Sequence, residues 1–411
     1  MISLARQPRS VQAITFACVV SYMGVGLVDP ILPTIAASLD ASPGQTELLF
    51  TSYLFTTAVM MFFSSWCSSR FGMRRTLLLG LGLVVAFATA CALSGNVNQI
   101  IGFRGGWGIG NALFVSTALA AIIGSAAKAR DAIVLYEAAV GIGMALGPLA
   151  GGLLGAVSWR APFGGTALLM GLGLLGIGLY LQRSPELPAP VPLVEPFRAL
   201  GRRDFAPVLV ATLFYNYSYF TILAFTPFPL HQAAANVGLD FTPIHLGLVF
   251  FAWGVLLAIA SVLLSPILTR VLGLRVNLVV SMVALAVVQV GFWLGAGRLW
   301  LAITITLVSG VLLGILNTAM TEAAMEATDL PRPVSSSSYS GIRFIGAALA
   351  PTFTGPLSHL GGMGMPYLVG AATTVVALVA LGVERYVVGR RLVPAVADGR
   401  GVTATADPVG R

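Results

Sequence analysis

Asp29, Arg104 and Glu137 each interrupt a long apolar run, where a charged side chain costs about 2.5–3.5 kcal/mol on insertion scales. Such a group must face a partner or a wet interior, and a carboxyl held there can load and release a proton. Asp29 lies in Gly24-Val-Gly-Leu-Val-Asp-Pro-Ile-Leu-Pro33, deep in the first run. A structural Asp would stand nearer a helix end, and Asp-Pro also marks chain breaks. Arg104 opens Arg104-Gly-Gly-Trp-Gly108-Ile-Gly110. It either faces the bundle interior with an acidic or carbonyl partner or snorkels to the loop at 94–98. Glu137 stands about one turn inside its run, so it faces a cavity or pairs with a loop base such as Arg130. Glu322 and Arg343, near the ends of two later runs, are expected to form a structural ion pair with each other.

Other chemistries find no residues to carry them. His231, His245 and His359 are scattered without metal-ligand spacing, and Cys18, Cys67 and Cys91 fall in apolar segments as small core residues, not as a disulfide framework. The one lysine, Lys128, follows Ala127, whereas a phosphate-cradling loop needs Gly before Lys, so ATP-driven pumping is excluded for this chain. No nucleophile–base set appears and the polar loops are too short for a catalytic domain. Neither an enzyme nor a cofactor nor a bound metal is expected.

The elements that must position these residues are membrane helices. The chain of 411 residues is 57% hydrophobic and 9% charged with a mean hydropathy of +0.91, against about a quarter charged in soluble domains. Apolar runs long enough to span a bilayer fall near 10–38, 46–67, 76–95, 99–123, 132–156, 162–182, 205–234, 243–269, 276–297, 299–322, 337–360 and 364–388. The first is too long for a signal peptide core. The Pro- and Arg-rich stretch 183–204 divides six runs from six, giving halves at 1–182 and 205–390 and a disordered cytoplasmic tail at 391–411. The net charge of +8 reflects topology and not nucleic-acid binding, because the arginines cap alternate ends of the runs. Arg70, Arg74, Arg75, Lys128, Arg198, Arg202, Arg203, Arg270, Arg275 and Arg332 share one side, and Arg160 and Arg298 take the other. Positive loops stay inside, so both termini are expected in the cytoplasm.

In the fifth run Gly143, Gly147 and Gly151 recur at four-residue spacing, with Pro148 and Gly152 beside them. Residues so spaced share a helix face, which predicts a close helix–helix contact and a hinge, although small-residue contacts are common in any membrane bundle. The two halves echo each other. Gly143-x-x-x-Gly147-Pro148 returns as Gly346-x-x-x-Ala350-Pro351, Gly108-Ile-x-Asn111 as Gly314-Ile-x-Asn317, and Gly72-Met-Arg74 as Gly273-Leu-Arg275. Three echoes at equivalent runs predict a duplicated six-helix unit. The seventh run carries the densest aromatic cluster, Phe214 to Phe220, either a surface for flat lipophilic ligands or an interfacial belt.

Gly143-x-x-x-Gly147-Pro148-x-x-Gly151-Gly152, followed by Trp159-Arg-x-Pro-Phe163, resembles the antiporter signature in the fifth helix of drug/proton exporters of the major facilitator superfamily. The first-helix motif around Asp29 and the Arg104 motif, with Trp107 where the family has Gln, are similar to the same exporters. Ser65-x-x-x-Ser69-Arg70-Phe-Gly72-Met-Arg74-Arg75 resembles the superfamily loop motif, with Ser65 and Ser69 replacing its Gly and Asp. The resemblance implies an all-α membrane protein of twelve transmembrane helices in two six-helix pseudo-repeats. Together with the residues themselves, it leads to the expectation of proton coupling through Asp29, Arg104 and Glu137, a gating loop of Arg70, Gly72, Arg74 and Arg75, and a substrate cavity lined by Tyr215, Tyr217, Tyr219, Phe220, Asn111 and Asn317. The loop arginines are equally suited to positive-inside anchoring. The expected protein is a monomeric, proton-coupled multidrug exporter of lipophilic or aromatic compounds in the bacterial inner membrane. A dedicated exporter of one endogenous siderophore or lipid, a lipid flippase and a non-transporting scaffold are the alternatives.

Overall fold

The computed structural model describes residues 8–27, 31–41, 43–125, 129–182, 190–239, 241–295 and 297–389. Every one of the twelve apolar runs is helical there. The first run forms α1 (Arg9–Gly26) and α2 (Leu32–Leu39). The next five give α3 (Pro43–Phe71), α4 (Met73–Leu93), α5 (Val97–Ser125), α6 (Ala129–Gly155) and α7 (Ala161–Tyr180). A short helix, α8 (Glu195–Leu200), lies in the dividing stretch. The seventh run breaks into α9 (Ala206–Phe225) and α10 (Pro227–Asn236), because Pro227 cannot continue the ladder and starts a new helix instead. The eighth comprises α11 (Pro243–Ile259), a π turn at Ala260–Leu264 and α12 (Ser265–Leu272), the wider turn preceding Pro266. The last four are α13 (Leu274–Gly295), α14 (Leu299–Glu326), α15 (Arg332–Gly361) and α16 (Met365–Gly389).

Among the described residues ten helices are long and apolar enough to cross a membrane. The two other expected spans depart from that pattern for local reasons. α1 and α2 are separated by residues 28–30, which lie outside the description. α15 has 30 residues, but Ser335, Ser336, Ser337 and Ser338, all buried, lower its apolar content. Bilayer contact falls to peripheral faces: Leu168, Leu172, Leu175 and Leu179 form one exposed stripe along α7. α5, by contrast, is buried along most of its length, as a helix apolar on all sides should be.

Packing repeats between the two sets of helices. α1 packs on α6 and α7 as α9 packs on α15 and α16, and α5 joins α3 to α4 as α14 joins α11 to α13. The sequence echoes occupy matching settings. Gly72 and Gly273 precede α4 and α13 with the same left-handed backbone, φ 82° in both, which only glycine adopts without strain. Two residues on, Arg74 donates to the carbonyls of Gly178 and Leu181 at the end of α7, and Arg275 to that of Leu381 in α16. Thr57 Oγ1 donates to the Gly108 carbonyl at 3.2 Å and Ser261 Oγ to that of Gly314 at 3.0 Å, because neither glycine has a side chain to hold the helices apart. Across the dividing stretch α6 meets α11 and α3 meets α15.

Candidate functional site

Glu137 lies about two turns inside α6 and is fully buried, its side chain turned towards helices that follow the dividing stretch. Arg343 of α15 donates from Nη1 to Glu137 Oε1 at 3.0 Å and from Nη2 to Oε2 at 3.5 Å. Thr321 of α14 donates from Oγ1 to the same Oε1 at 2.7 Å, and its hydroxyl lies 2.9 Å from that of Tyr339, one turn before Arg343. The carboxylate is thus held by two helices at once. Beside Glu137 on α6, the hydroxyls of Tyr136 and Tyr22 meet at 2.6 Å, tying α6 to α1.

This arrangement corrects one expectation and decides between two readings of another residue. Arg343 forms its ion pair with Glu137 and not with Glu322, and of the two readings of Glu137 the loop-base pairing does not hold, since Glu137 faces the second set of helices. The reason is rotation about the α14 axis. Thr321 points at Glu137, and the next residue, Glu322, is turned about 100° away. A proton placed on Glu137 would cancel its charge and weaken its hold on a guanidinium that is itself only 5% exposed. The pair therefore joins helices on either side of residues 183–204.

Arg104, on α5, is 0% exposed and does not reach for the lipid interface. Its Nε donates to the Leu49 carbonyl at 3.0 Å, and its guanidinium carbon lies 4.5 Å from the ring centre of Tyr53 and 5.2 Å from that of Trp107. Trp107 thus supplies a π face that an amide at that place would not. Asp29 lies outside the described residues.

The glycine ladder of α6 is a contact surface. Gly143, Gly147 and Gly151 face the α1 backbone at Val19, Met23 and Leu27, and a Cβ on Gly147 would stand 2.7 Å from the Met23 carbonyl oxygen. Pro148 joins the contact against Gly26. Gly152 does not: a Cβ there would meet nothing within 4 Å, because one step beyond Gly151 turns it off the packed face. A second face of α6 is equally smooth. Gly141 lies against Leu257 and Ala258 of α11, and Ala145 against Gly254.

The aromatic cluster is buried rather than spread along an interface. Tyr215 Oη donates to Asn317 Oδ1 at 2.8 Å, and the Tyr219 ring lies 5.0 Å from that of Phe220 and 6.0 Å from that of Trp253. Tyr219 Oη and Asn317 Nδ2 make no hydrogen bond of good geometry. Tyr217 is buried apart from that group of rings. Asn111 is in the first set of helices, where its Oδ1 accepts from Ser21. On either side of the Gly72 turn, Arg70 at the end of α3 and Arg75 in α4 are exposed, Arg70 lying over Trp66 of its own helix, and Arg74 in α4 caps α7. Among the described residues no group of three His, Cys, Asp or Glu could hold a metal.

Sequence reasoning missed Thr321, Tyr339, Tyr22, Tyr136 and Trp253. None is unusual in a membrane helix, and only the partner's position marks it.

The sequence profile described as Major Facilitator Superfamily matches residues 14–351. The chain is 45% identical over 379 residues to the multidrug efflux protein YfmO of Bacillus subtilis (strain 168), covering 92% of this chain and 93% of that protein. It is 26% identical to the putative multidrug resistance protein MdtD of Cronobacter sakazakii, over 84% of this chain and 86% of the relative. The crystal structure of the human organic anion transporter MFSD10 (TETRAN) superposes with a TM-score of 0.77 at 15% identity, covering 91% of this chain and all of that one, a likeness of fold. With the repeated packing of its helices and a profile match over most of its length, the chain belongs to the Major Facilitator Superfamily and is a multi-pass membrane transporter.

Proposed function

We propose that the protein is a proton-coupled exporter of lipophilic or aromatic small molecules, acting in multidrug efflux by alternating access. Residues 1–182 and 205–390 act as the moving halves and the stretch 183–204 joins them, a division supported by the matching settings of the echoed residues. The observation that carries the reading is the buried Glu137–Arg343 pair, whose partners belong to opposite halves. With Glu137 ionised the pair and the Thr321 bond hold the halves together at this point. A proton on Glu137 leaves Arg343 without its counter-charge in a low-dielectric setting, which favours parting of the halves and access of water. Loss of the proton restores the contact. A proton cycle is thereby linked to a conformational cycle.

Tyr215, Tyr219, Phe220, Trp253 and Asn317 form the substrate-binding wall in this reading, broad rings giving area and the polar groups of Asn317 and Tyr219 giving orientation. The names of the Bacillus and Cronobacter relatives, multidrug efflux and multidrug resistance, support the breadth of substrate. The one-sided arginines support a bacterial cell-membrane topology with both termini in the cytoplasm, and the transporter works as a monomer.

Purified protein in vesicles, given a lipophilic fluorescent dye and an imposed proton gradient, tests the coupling. Glu137→Gln is expected to bind dye while uphill efflux and dye-induced proton release fall at least about tenfold, the equivalent of about 1.4 kcal/mol. Unchanged uphill efflux and proton release would place the proton site elsewhere, with Asp29 the next residue to replace.

A further inference from the structure

The joining stretch does more than span the distance between the halves. Its segment 191–200 is seated in the groove between α3 and α15, which belong to the first and second set of helices respectively. On the α3 side, the Val191 amide donates to Ser69 Oγ at 3.1 Å while the Ser69 hydroxyl donates to the Trp66 carbonyl at 2.9 Å. On the α15 side, Ser338 Oγ donates to the Pro196 carbonyl at 3.0 Å. Between these, the Phe197 ring stacks on Phe62 at 5.1 Å and meets Phe63 edge-on at 5.8 Å. Phe62 in turn fills the space opposite Gly341, where a Cβ would stand 2.6 Å from the Phe62 ring. Val191, Pro196 and Ala199 are buried by this seat.

We propose that residues 191–200 are a strap that fastens the two halves at this end, and that they leave their seat when the halves part there. The groove exists only while α3 and α15 are side by side. Each of its walls contributes a hydrogen bond to the strap, and the stacked Phe197 bridges them through Phe62. Parting α3 from α15 removes one wall or the other, so the strap cannot keep both sets of contacts. Ser69 is the residue that gives the chain this anchor: its short hydroxyl accepts from the Val191 amide and still satisfies its own proton on Trp66. The hydroxyl seam beside the strap closes with it, since Ser336 Oγ donates across the halves to the Ser116 carbonyl at 2.7 Å.

The test needs no substrate and no proton gradient, so its result is independent of the coupling proposed for Glu137. In full-length protein with Cys18, Cys67 and Cys91 replaced by alanine, a single Ser336→Cys reporter is labelled by a membrane-impermeant maleimide. Labelling is slow while the seam is shut. Loss of one strap contact, by Ser69→Ala or by Phe197→Ala, is expected to raise the labelling rate roughly five- to thirty-fold, the shift that one or two such contacts impose on an equilibrium. Ser69→Ala deletes one oxygen, so it carries the test should Phe197→Ala reduce the amount of folded protein. An unchanged rate in well-folded Ser69→Ala and Phe197→Ala protein would overturn the strap. A slower rate would overturn it too, by showing that the segment wedges the halves apart.

Discussion

Removing the Arg343 guanidinium strands the Glu137 carboxylate in a buried site with Thr321 as its remaining described donor. Breaking such a pair from one side costs about 3–5 kcal/mol, whereas replacing both partners by groups of similar volume is often neutral. Arg343→Met is therefore expected to lower the thermal midpoint in detergent markedly, and Arg343→Met combined with Glu137→Gln to recover most of the loss. A double variant no more stable than Arg343→Met alone would show that the two residues do not act as a pair. The acid itself was legible in the sequence, because a Glu inside an apolar run is conspicuous. Its partner was not. Arg343 stands 206 positions away, and Glu322, much nearer in the chain, offered an apparently sufficient counter-charge. Distance along the chain says nothing about which of two neighbouring residues on a helix faces inward, and that single rotation decided between Thr321 and Glu322.

At the scale of one helix, the glycines of α6 separate packing from mere composition. Gly147→Val is expected to abolish transport while the protein still reaches the membrane, because the added side chain meets the Met23 carbonyl and the Gly26 backbone of α1. Overpacking of this kind costs about 1–3 kcal/mol, enough to trap one state of a balanced carrier. Gly152→Ala, with nothing near its Cβ, is expected to transport as the parent does. Dye efflux at matched expression checks both. The four-residue spacing made three of the glycines readable, and the doublet Gly151-Gly152 made the fourth look equivalent when its direction differs. The serines at 335–338 hid the eleventh span in the opposite way: they are polar by type yet buried, their hydroxyls returning to carbonyls within α15 or to Ser116 and Pro196.

For the molecule as a whole, the duplicated arrangement was visible as three faint echoes, and the structure gives each echo a matching duty. Arg74 and Arg275 show what this predicts. Arg74 holds the end of α7 through two carbonyls and Arg275 holds α16 through one, charge-assisted hydrogen bonds of about 1.5–3 kcal/mol each. Arg74→Ala, which loses two bonds, is expected to destabilise more than Arg275→Ala, which loses one, and the double variant by their sum, because the two sites share no partner. Calorimetry or a thermal-shift assay on the four proteins would check it, and a sum far from additive would mean the halves are not independent units of stability.

Because α6 offers α11 the small residues Gly141 and Ala145, the latter against Gly254 of α11, the two helices touch closely, with the Leu257 side chain the one knob, seated on Gly141. A joint with so few interlocking knobs lets one helix roll or slide on the other with little change of rotamer, so friction there is low. The activation enthalpy for moving one half against the other should then owe little to this joint, and a share of it should reside in the Glu137–Arg343 bond and its hydration. Warming ought to hasten Glu137→Gln conformational exchange less steeply than that of the parent, even where both exchange at measurable rates.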